Sequence, residues 1–138
     1  MKLVIAYMVE NDEDCLELSY ESIKDTADKI VVVDGNHYND TDFPKYSFFD
    51  KEKTKFIYHP YPHADVGADG IQRNKYLEHV QDNYDGDWCL VLDADEVVQH
   101  PEAIKPLIER LELNGIDGAS PHMRHFIRSL GQEDSTVK

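Results

Sequence analysis

Cysteine is scarce in this sequence, and long apolar runs are missing. Only Cys15 and Cys89 occur among 138 residues, far apart and without the paired spacing of metal-binding thiols. The sequence therefore predicts neither a disulfide framework nor a zinc site. No apolar run approaches the roughly 20 residues that cross a bilayer. The first run leads into polar residues 10–14 without a small-residue cleavage site, so it predicts a buried strand rather than a signal peptide, and the expected location is the cytoplasm.

Basic residues are few compared with acidic ones. The chain has 14 Lys and Arg against 28 Asp and Glu, which gives a formal net charge of −14. Such a surface repels nucleic-acid backbones and anionic membranes, so neither is an expected partner. A small phosphate ligand remains compatible with this charge, provided that a metal ion or backbone N–H groups supply the positive field.

The common glycine-rich and nucleophile motifs are also absent. The sequence contains no G-x-G-x-x-G, no G-x-x-x-x-G-K-[ST] and no G-x-S-x-G. The first two absences argue against a standard dinucleotide-binding domain and a P-loop enzyme, and the third leaves the sequence without a nucleophile signature. The histidines at positions 59, 63, 122 and 125 are interpreted as structural or surface groups, with His122 as an alternative metal ligand.

Apolar patterning predicts alternating strands and helices. Strands are predicted at 3–9, 30–33, 55–58 and 88–92, with a further one at 118–127. Helices are predicted from about 12 to 27, from about 70 to 84, and from Pro101 to Gly115. The first should bury Leu16, Tyr20, Ile23 and Ala27, and the second Leu77, Val80 and Tyr84. This alternation predicts one α/β domain over residues 1–138, with a mostly parallel sheet flanked by helices.

An apolar run that ends in three acids is the most informative stretch. Residues 88–96 read W-C-L-V-L-D-A-D-E, and ligands in such sheets bind beyond the carboxyl ends of the strands. Carboxylates at Asp93 and Asp95 can approach one hard cation, and Mg²⁺ or Mn²⁺ needs only one or two when a diphosphate fills other positions. The alternative is a solvated acidic turn, because N-D-E-D and Y-D-G-D contain the same spacing in this acidic chain.

Two other stretches contain candidate ligand-binding residues. Asp34-Gly35 ends I-V-V-V, so the carboxylate is a candidate acceptor for a ribose or a base edge, or simply part of a turn. In G-A-D-G-I-Q-R-N, residues 67–74, a helix start carries Arg73 and Asn74. That start could pair with phosphate, or it could be an exposed polar helix end.

Taken in order, four segments resemble the N-terminal, nucleotide-binding half of a family 2 glycosyltransferase with the GT-A fold. They are M-V-E-N-D-E-D-C-L, A-D-K-I-V-V-V-D-G, Q-R-N and G-D-W-C-L-V-L-D-A-D-E, and the resemblance spans residues 3 to about 127. It implies inverting transfer of a sugar from a UDP-, GDP- or TDP-linked donor to an acceptor hydroxyl. It also implies Mn²⁺ or Mg²⁺ held by Asp93 and Asp95. The implied nucleotide-sugar-binding residues are Tyr7, Val9, Asn11, Asp34, Gly35, Arg73, Asn74 and Asp93.

The chain also departs from the family pattern. Glu10 and Asp12 replace a usual basic residue and a usual Glu, and His37 and Asn39 occupy the usual Ser and Asp positions of the next loop. The segment that carries the acceptor site and general base in relatives is short or missing, so no general base is identified. A catalytically incomplete nucleotide-sugar-binding or interaction module is therefore the alternative. A nucleotidyltransferase fits less well, because the loop after the first strand is acidic. An exposed sheet edge predicts a homodimer.

Overall fold

Within the residues that the structure describes, the chain forms four strands and three α-helices. The computed structural model describes residues 2–9, 13–35, 46–60, 66–85 and 87–120. The elements are β1 (Leu3–Val9), α1 (Glu13–Ile23), β2 (Lys29–Asp34), β3 (Thr54–Tyr58), α2 (Ala68–Tyr84), β4 (Trp88–Asp93), a 3₁₀ turn (Pro101–Ala103) and α3 (Ile104–Leu113). The four strands predicted between residues 3 and 92 are confirmed. Residues 118–120 are not strand, and the rest of the predicted 118–127 strand lies outside the described residues.

All strands pair in parallel in the order β3-β2-β1-β4. The chain builds outward from β1 through β2 to β3, and α2 then carries it back to β4 on the other side of β1. This reversal puts a topological switch point between β1 and β4, the place where open α/β sheets form a ligand crevice. The predicted fold class, a Rossmann-like parallel sheet flanked by helices, is confirmed. A homodimer through an exposed sheet edge stays a prediction.

The two faces of the sheet are covered by different helices. Along β1, Leu3, Ile5, Tyr7 and Val9 join the cluster that contains α1, whereas Val4 and Ala6 join the cluster that contains α2. Successive side chains of a strand point to opposite faces, so a strand covered on both sides is apolar throughout. This explains why β1 and β2 read as continuous apolar runs.

Helix α2 buries the predicted face only in part, because Val80 and Tyr84 join the core cluster and Leu77 does not. Its buried residues are Gln72, Tyr76 and Val80, which follow one another at four-residue spacing, and Tyr84 packs beside them. Leu77, which the apolar pattern assigns to the core, is 42% exposed. Apolar patterning cannot predict that a polar residue is buried. Gln72 is buried because both of its amide atoms form hydrogen bonds. The predicted face of α1 is confirmed: Leu16, Tyr20, Ile23 and the following Ala27 are all buried.

Two compact units divide the chain, residues 1–108 and 109–138. In the second unit α3 ends where predicted: Gly115 has φ +68°, and the Ile116 and Gly115 N–H groups donate to the carbonyls of Leu111 and Glu112. These two bonds form a Schellman cap, whose left-handed position favours glycine. Among the described helices, none has both the length and the apolar character needed to cross a membrane. A single domain over residues 1–138 stays a prediction.

Asp28 joins three segments at the amino edge of the sheet. Its Oδ2 atom accepts hydrogen bonds from the Leu3 N–H at 2.7 Å and from Lys105 Nζ at 2.8 Å. Burial acts to raise the pKa of Asp28, but these two hydrogen bonds and the charges of Lys105 and Lys53 outweigh it and lower the pKa. Folding therefore favours the ionised carboxylate.

The stabilising effect of Asp28 should disappear in acid. A lowered folded-state pKa gives stability that is complete above the unfolded value of about 3.9 and is lost as the pH falls through the folded value. We expect Asp28→Asn to lower the free energy of unfolding at pH 7, and we expect this loss to shrink as the pH falls below the unfolded value. Urea unfolding of both proteins between pH 7 and pH 2.5 measures this. A difference that stays constant over that range would contradict the assignment.

Candidate functional site

The carboxyl ends of β1, β2 and β4 bring several predicted site residues to one edge. Val9 is the register partner of Asp34, Met8 is the partner of Asp93, and the Gly35 N–H donates to the Val9 carbonyl at 2.7 Å. Because neighbouring strands lie about 4.8 Å apart, Asp34 and Asp93 flank β1 at roughly 10 Å from each other. The predicted convergence of the two strand ends is therefore present in the fold.

The acids after β4 form a closed turn. The Glu96 N–H donates to the Asp93 carbonyl at 3.0 Å, and the Asp93 N–H donates to the Glu96 carboxylate at 2.7 Å. Ala94 is fully buried, whereas Asp93 and Asp95 on either side of it are exposed. Glu96 is thus used to fix the backbone, and the other two carboxylates are presented to solvent.

This turn fits a hard divalent cation with two protein ligands. Asp93 and Asp95 offer oxygen atoms, the ligand type that Mg²⁺ and Mn²⁺ prefer, and both ions keep positions for water and phosphate. Within the described ranges no group of three or more His, Cys, Asp or Glu side chains could hold a metal. Asp93 and Asp95 are therefore the described residues of this turn that could hold such an ion.

Asp34 is buried beneath this edge and held by a tyrosine. It has no exposed surface, and the Tyr46 hydroxyl donates to its Oδ2 atom at 2.6 Å. Tyr46 is itself fully buried and stacks on Phe56 with ring centroids 5.3 Å apart. The sequence predicts a polar loop through about residue 53, but Tyr46 and Phe49 belong to the core. No spacing rule connects Tyr46 to Asp34, so the sequence alone does not identify the pair.

Tyr7 lies in the core rather than on the crevice surface. It is fully buried, and its hydroxyl shares a 2.8 Å hydrogen bond with Ser19 of α1. Burial raises the pKa of Tyr7 to about 12; the bond to Ser19 opposes this shift, and the nearby Glu96 carboxylate adds to it. The Tyr7 hydroxyl therefore stays protonated, and the side chain packs below the acidic turn. A contact between Tyr7 and the nucleotide stays a prediction.

The start of α2 carries one cation toward β4. Gly67 precedes the helix in the left-handed region with φ 77°. Arg73 is half-buried, and its Nε atom is buried without a hydrogen bond within the described residues. Burial raises the pKa of Tyr76, while the charge of Arg73 opposes the shift and the charge of Asp93 adds to it. The charges of Arg73 and Asp93 thus both act on Tyr76, and Asn74 is exposed on the helix.

A buried glutamine fixes the segment after β3. The Gln72 Nε2 atom donates to the His59 carbonyl at 2.7 Å, and its Oε1 atom lies 2.8 Å from His59 Nδ1. The His59 N–H in turn donates to the Asp34 carbonyl at 3.1 Å. The interpretation of His59 as a structural group is consistent with these contacts, although no pattern in the sequence indicates its partner.

Five of the predicted site residues lie at the strand ends: Val9, Asp34, Gly35, Asp93 and Asp95. Arg73 and Asn74 lie on α2, and Tyr7 is buried in the core. Asn11 lies outside the described residues, as do His63, His122 and His125.

Comparison with known proteins identifies the family of the chain. Residues 3–135 match the protein-family model described as Glycosyl transferase family 2. No curated protein matches the chain.

Proposed function

The chain belongs to glycosyltransferase family 2, and from this premise we propose that it binds a nucleotide-diphosphate sugar at the carboxyl ends of β1, β2 and β4. The proposed reaction is transfer of the sugar to an acceptor hydroxyl with inversion at the anomeric carbon. Donors linked to UDP, GDP or TDP are the proposed class. One observation carries the proposal: an exposed pair of carboxylates on a hydrogen-bonded turn at the switch point.

The exposed carboxylates would hold a divalent cation, Mn²⁺ or Mg²⁺, with Asp95 as the main ligand and Asp93 in support. When bound there, such an ion supplies Lewis-acid neutralisation of the charge on the leaving diphosphate. This role explains why an apolar strand ends in acids, because carboxylates that repel one another become favourable beside a dication.

Other residues of the edge would bind the rest of the donor. The backbone of Val9 and Gly35 and the carboxylate of Asp34 are assigned to the nucleoside. Arg73 is assigned to the diphosphate, because it lies in the first turns of α2 and its Nε atom has no hydrogen bond within the part of the chain described. Asn74 is a further candidate at the same helix start, and Tyr7 and Asn11 stay proposed contacts of the opening strand and turn.

Sugar transfer also requires a general base, which the residues named above do not supply. The acceptor oxygen forms a bond to the anomeric carbon while the bond from that carbon to the diphosphate oxygen breaks, and a general base takes the acceptor proton. We assign no residue to this base. The alternative, a module that binds a nucleotide sugar without transferring it, differs from the enzyme in this step only.

Thermal shift measurements test donor binding directly. A ligand that binds only the folded chain raises its melting temperature by mass action. We expect one class among UDP-, GDP- and TDP-sugars to raise the melting temperature with Mn²⁺ and to lose that effect in EDTA. Release of free nucleoside diphosphate from the same donor would support an enzyme, and binding without release would support the incomplete module. No shift with any donor would contradict the proposed site.

A further inference from the structure

The hydrogen bonds of Gln72 fix the proton position on the His59 imidazole. A carbonyl oxygen only accepts, so the amide nitrogen of Gln72 must face the His59 carbonyl. The amide oxygen then faces Nδ1 at 2.8 Å and must accept a proton from it. The reversed amide would place two acceptors 2.7 Å apart. In the neutral ring, Nδ1 therefore carries the hydrogen and Nε2 is left as an acceptor.

His59 stands next to the position proposed for the nucleoside. Its N–H donates to the Asp34 carbonyl, and it directly follows Tyr58, the register partner of Asp34. Its side chain is half-buried, whereas Gln72 is fully buried. Within the described residues no hydrogen bond to Nε2 is formed. The buried amide thus holds a half-exposed imidazole at the ligand-binding edge of the sheet, in one tautomer.

We infer that His59 is a specificity-determining residue of the nucleotide site, with Gln72 as the residue that positions it; this inference rests on the proposed function. Through Nε2 the ring accepts a hydrogen bond from the nucleoside, which favours a base with a ring N–H. Uracil, thymine and guanine have such a donor, whereas the corresponding ring nitrogens of cytosine and adenine are acceptors. A site built around a fixed acceptor rejects a base that presents another acceptor, because both groups lose their partners.

Two substitutions separate this role from a purely structural one. His59→Asn keeps an N–H near the Nδ1 position for Gln72 and removes the Nε2 acceptor. His59→Gln places an amide near the Nε2 position and removes the donor to Gln72. We expect H59N to melt within about 4 °C of the wild type and to bind UDP, GDP and dTDP about tenfold more weakly, with selectivity over CDP and ADP reduced by the same factor. H59Q should show the opposite pattern, with near-normal affinity and a lower melting temperature.

Calorimetric titration of the five nucleoside diphosphates with Mn²⁺, on the full chain and both variants, measures these affinities. Long-range ¹⁵N NMR of the imidazoles adds a direct test, because the signal lost in H59N identifies His59, and we expect the Nδ1–H tautomer. An Nε2–H tautomer, wild-type affinities in H59N, or a wild-type preference for CDP or ADP would each overturn the inference. If the wild type binds none of the five, the proposed function fails and this inference fails with it.

Discussion

Replacing Asp95 by Asn should abolish the effect of manganese on donor binding. Asp95 is exposed on the turn and Asn is a weaker, neutral ligand, so the fold should lose no more than about 0.5 kcal/mol while metal affinity falls sharply. Any transfer activity should drop by about a hundredfold or more, because a bound cation contributes several kcal/mol to the barrier and each 1.4 kcal/mol or so is tenfold. Manganese titration with the best donor, followed by calorimetry, measures the first effect.

The chain contains a matched control for this substitution. Asp85 belongs to Y-D-G-D, another stretch with the D-x-D spacing, but it is exposed at the amino end of β4. Because strands rise about 3.3 Å per residue, that end lies roughly 15–20 Å from Asp93. Asp85→Asn removes the same charge and should leave manganese-dependent binding unchanged. Equal losses in both variants would show that the overall acidic charge, rather than the turn after β4, attracts the ion.

Tyr46→Phe should lower the free energy of unfolding by about 1–3 kcal/mol, because it leaves a buried carboxylate without one of its hydrogen-bond donors. The removed hydroxyl donates to Asp34 at 2.6 Å, and both residues are fully buried. The ring itself is retained, so its stacking on Phe56 should persist. Urea unfolding at pH 7, monitored by circular dichroism, gives the free energy difference.

Tyr84→Phe is the corresponding control. Tyr84 packs at the edge of the α2 cluster, and its hydroxyl forms no hydrogen bond within the described ranges. Removal of that hydroxyl should change stability by less than about 0.5 kcal/mol. A similar loss in both variants, or no loss in Tyr46→Phe, would contradict the assignment of the Tyr46–Asp34 bond as a stabilising contact.

The sequence predicts the framework of this fold because strand burial leaves a clear pattern. β1 and β2 are covered on both faces, so they read as continuous apolar runs, and the polar residue that follows each run marks its carboxyl end. The parallel arrangement then requires those ends to share one edge. For this reason the amino-acid sequence alone is enough to place Asp34, Asp93 and Asp95 together.

The contacts that organise the site are less predictable from sequence. Tyr46 and Asp34 are 12 residues apart, and His59 and Gln72 are 13 apart, with no periodicity to connect either pair. The apolar pattern excludes Gln72 from the predicted core because it is polar, although a buried amide is stable when both atoms are bonded. The hydrogen bond from the Asp93 N–H to Glu96 is also not predictable from the sequence, because it depends on the turn that the chain adopts.

The turn also shows how the acids are accommodated. Glu96 accepts a backbone N–H, and Asp93 and Asp95 remain exposed, where water screens their repulsion. None of the three is buried without a hydrogen-bond partner, so the turn has no large desolvation cost. The arrangement is therefore stable as folded and open to a cation, and these are the two properties that the proposed site needs.

Crystals of the chain grown with Mn²⁺ and the nucleoside diphosphate that gives the largest thermal shift would test the central claim most directly. Anomalous scattering from manganese locates the ion without prior assumptions. We expect one strong peak beside the Asp93 and Asp95 carboxylates, with the diphosphate on the ion and the nucleoside toward Asp34. A peak at Asp85 and Asp87, or a nucleotide bound away from the carboxyl ends of β1 and β4, would contradict it.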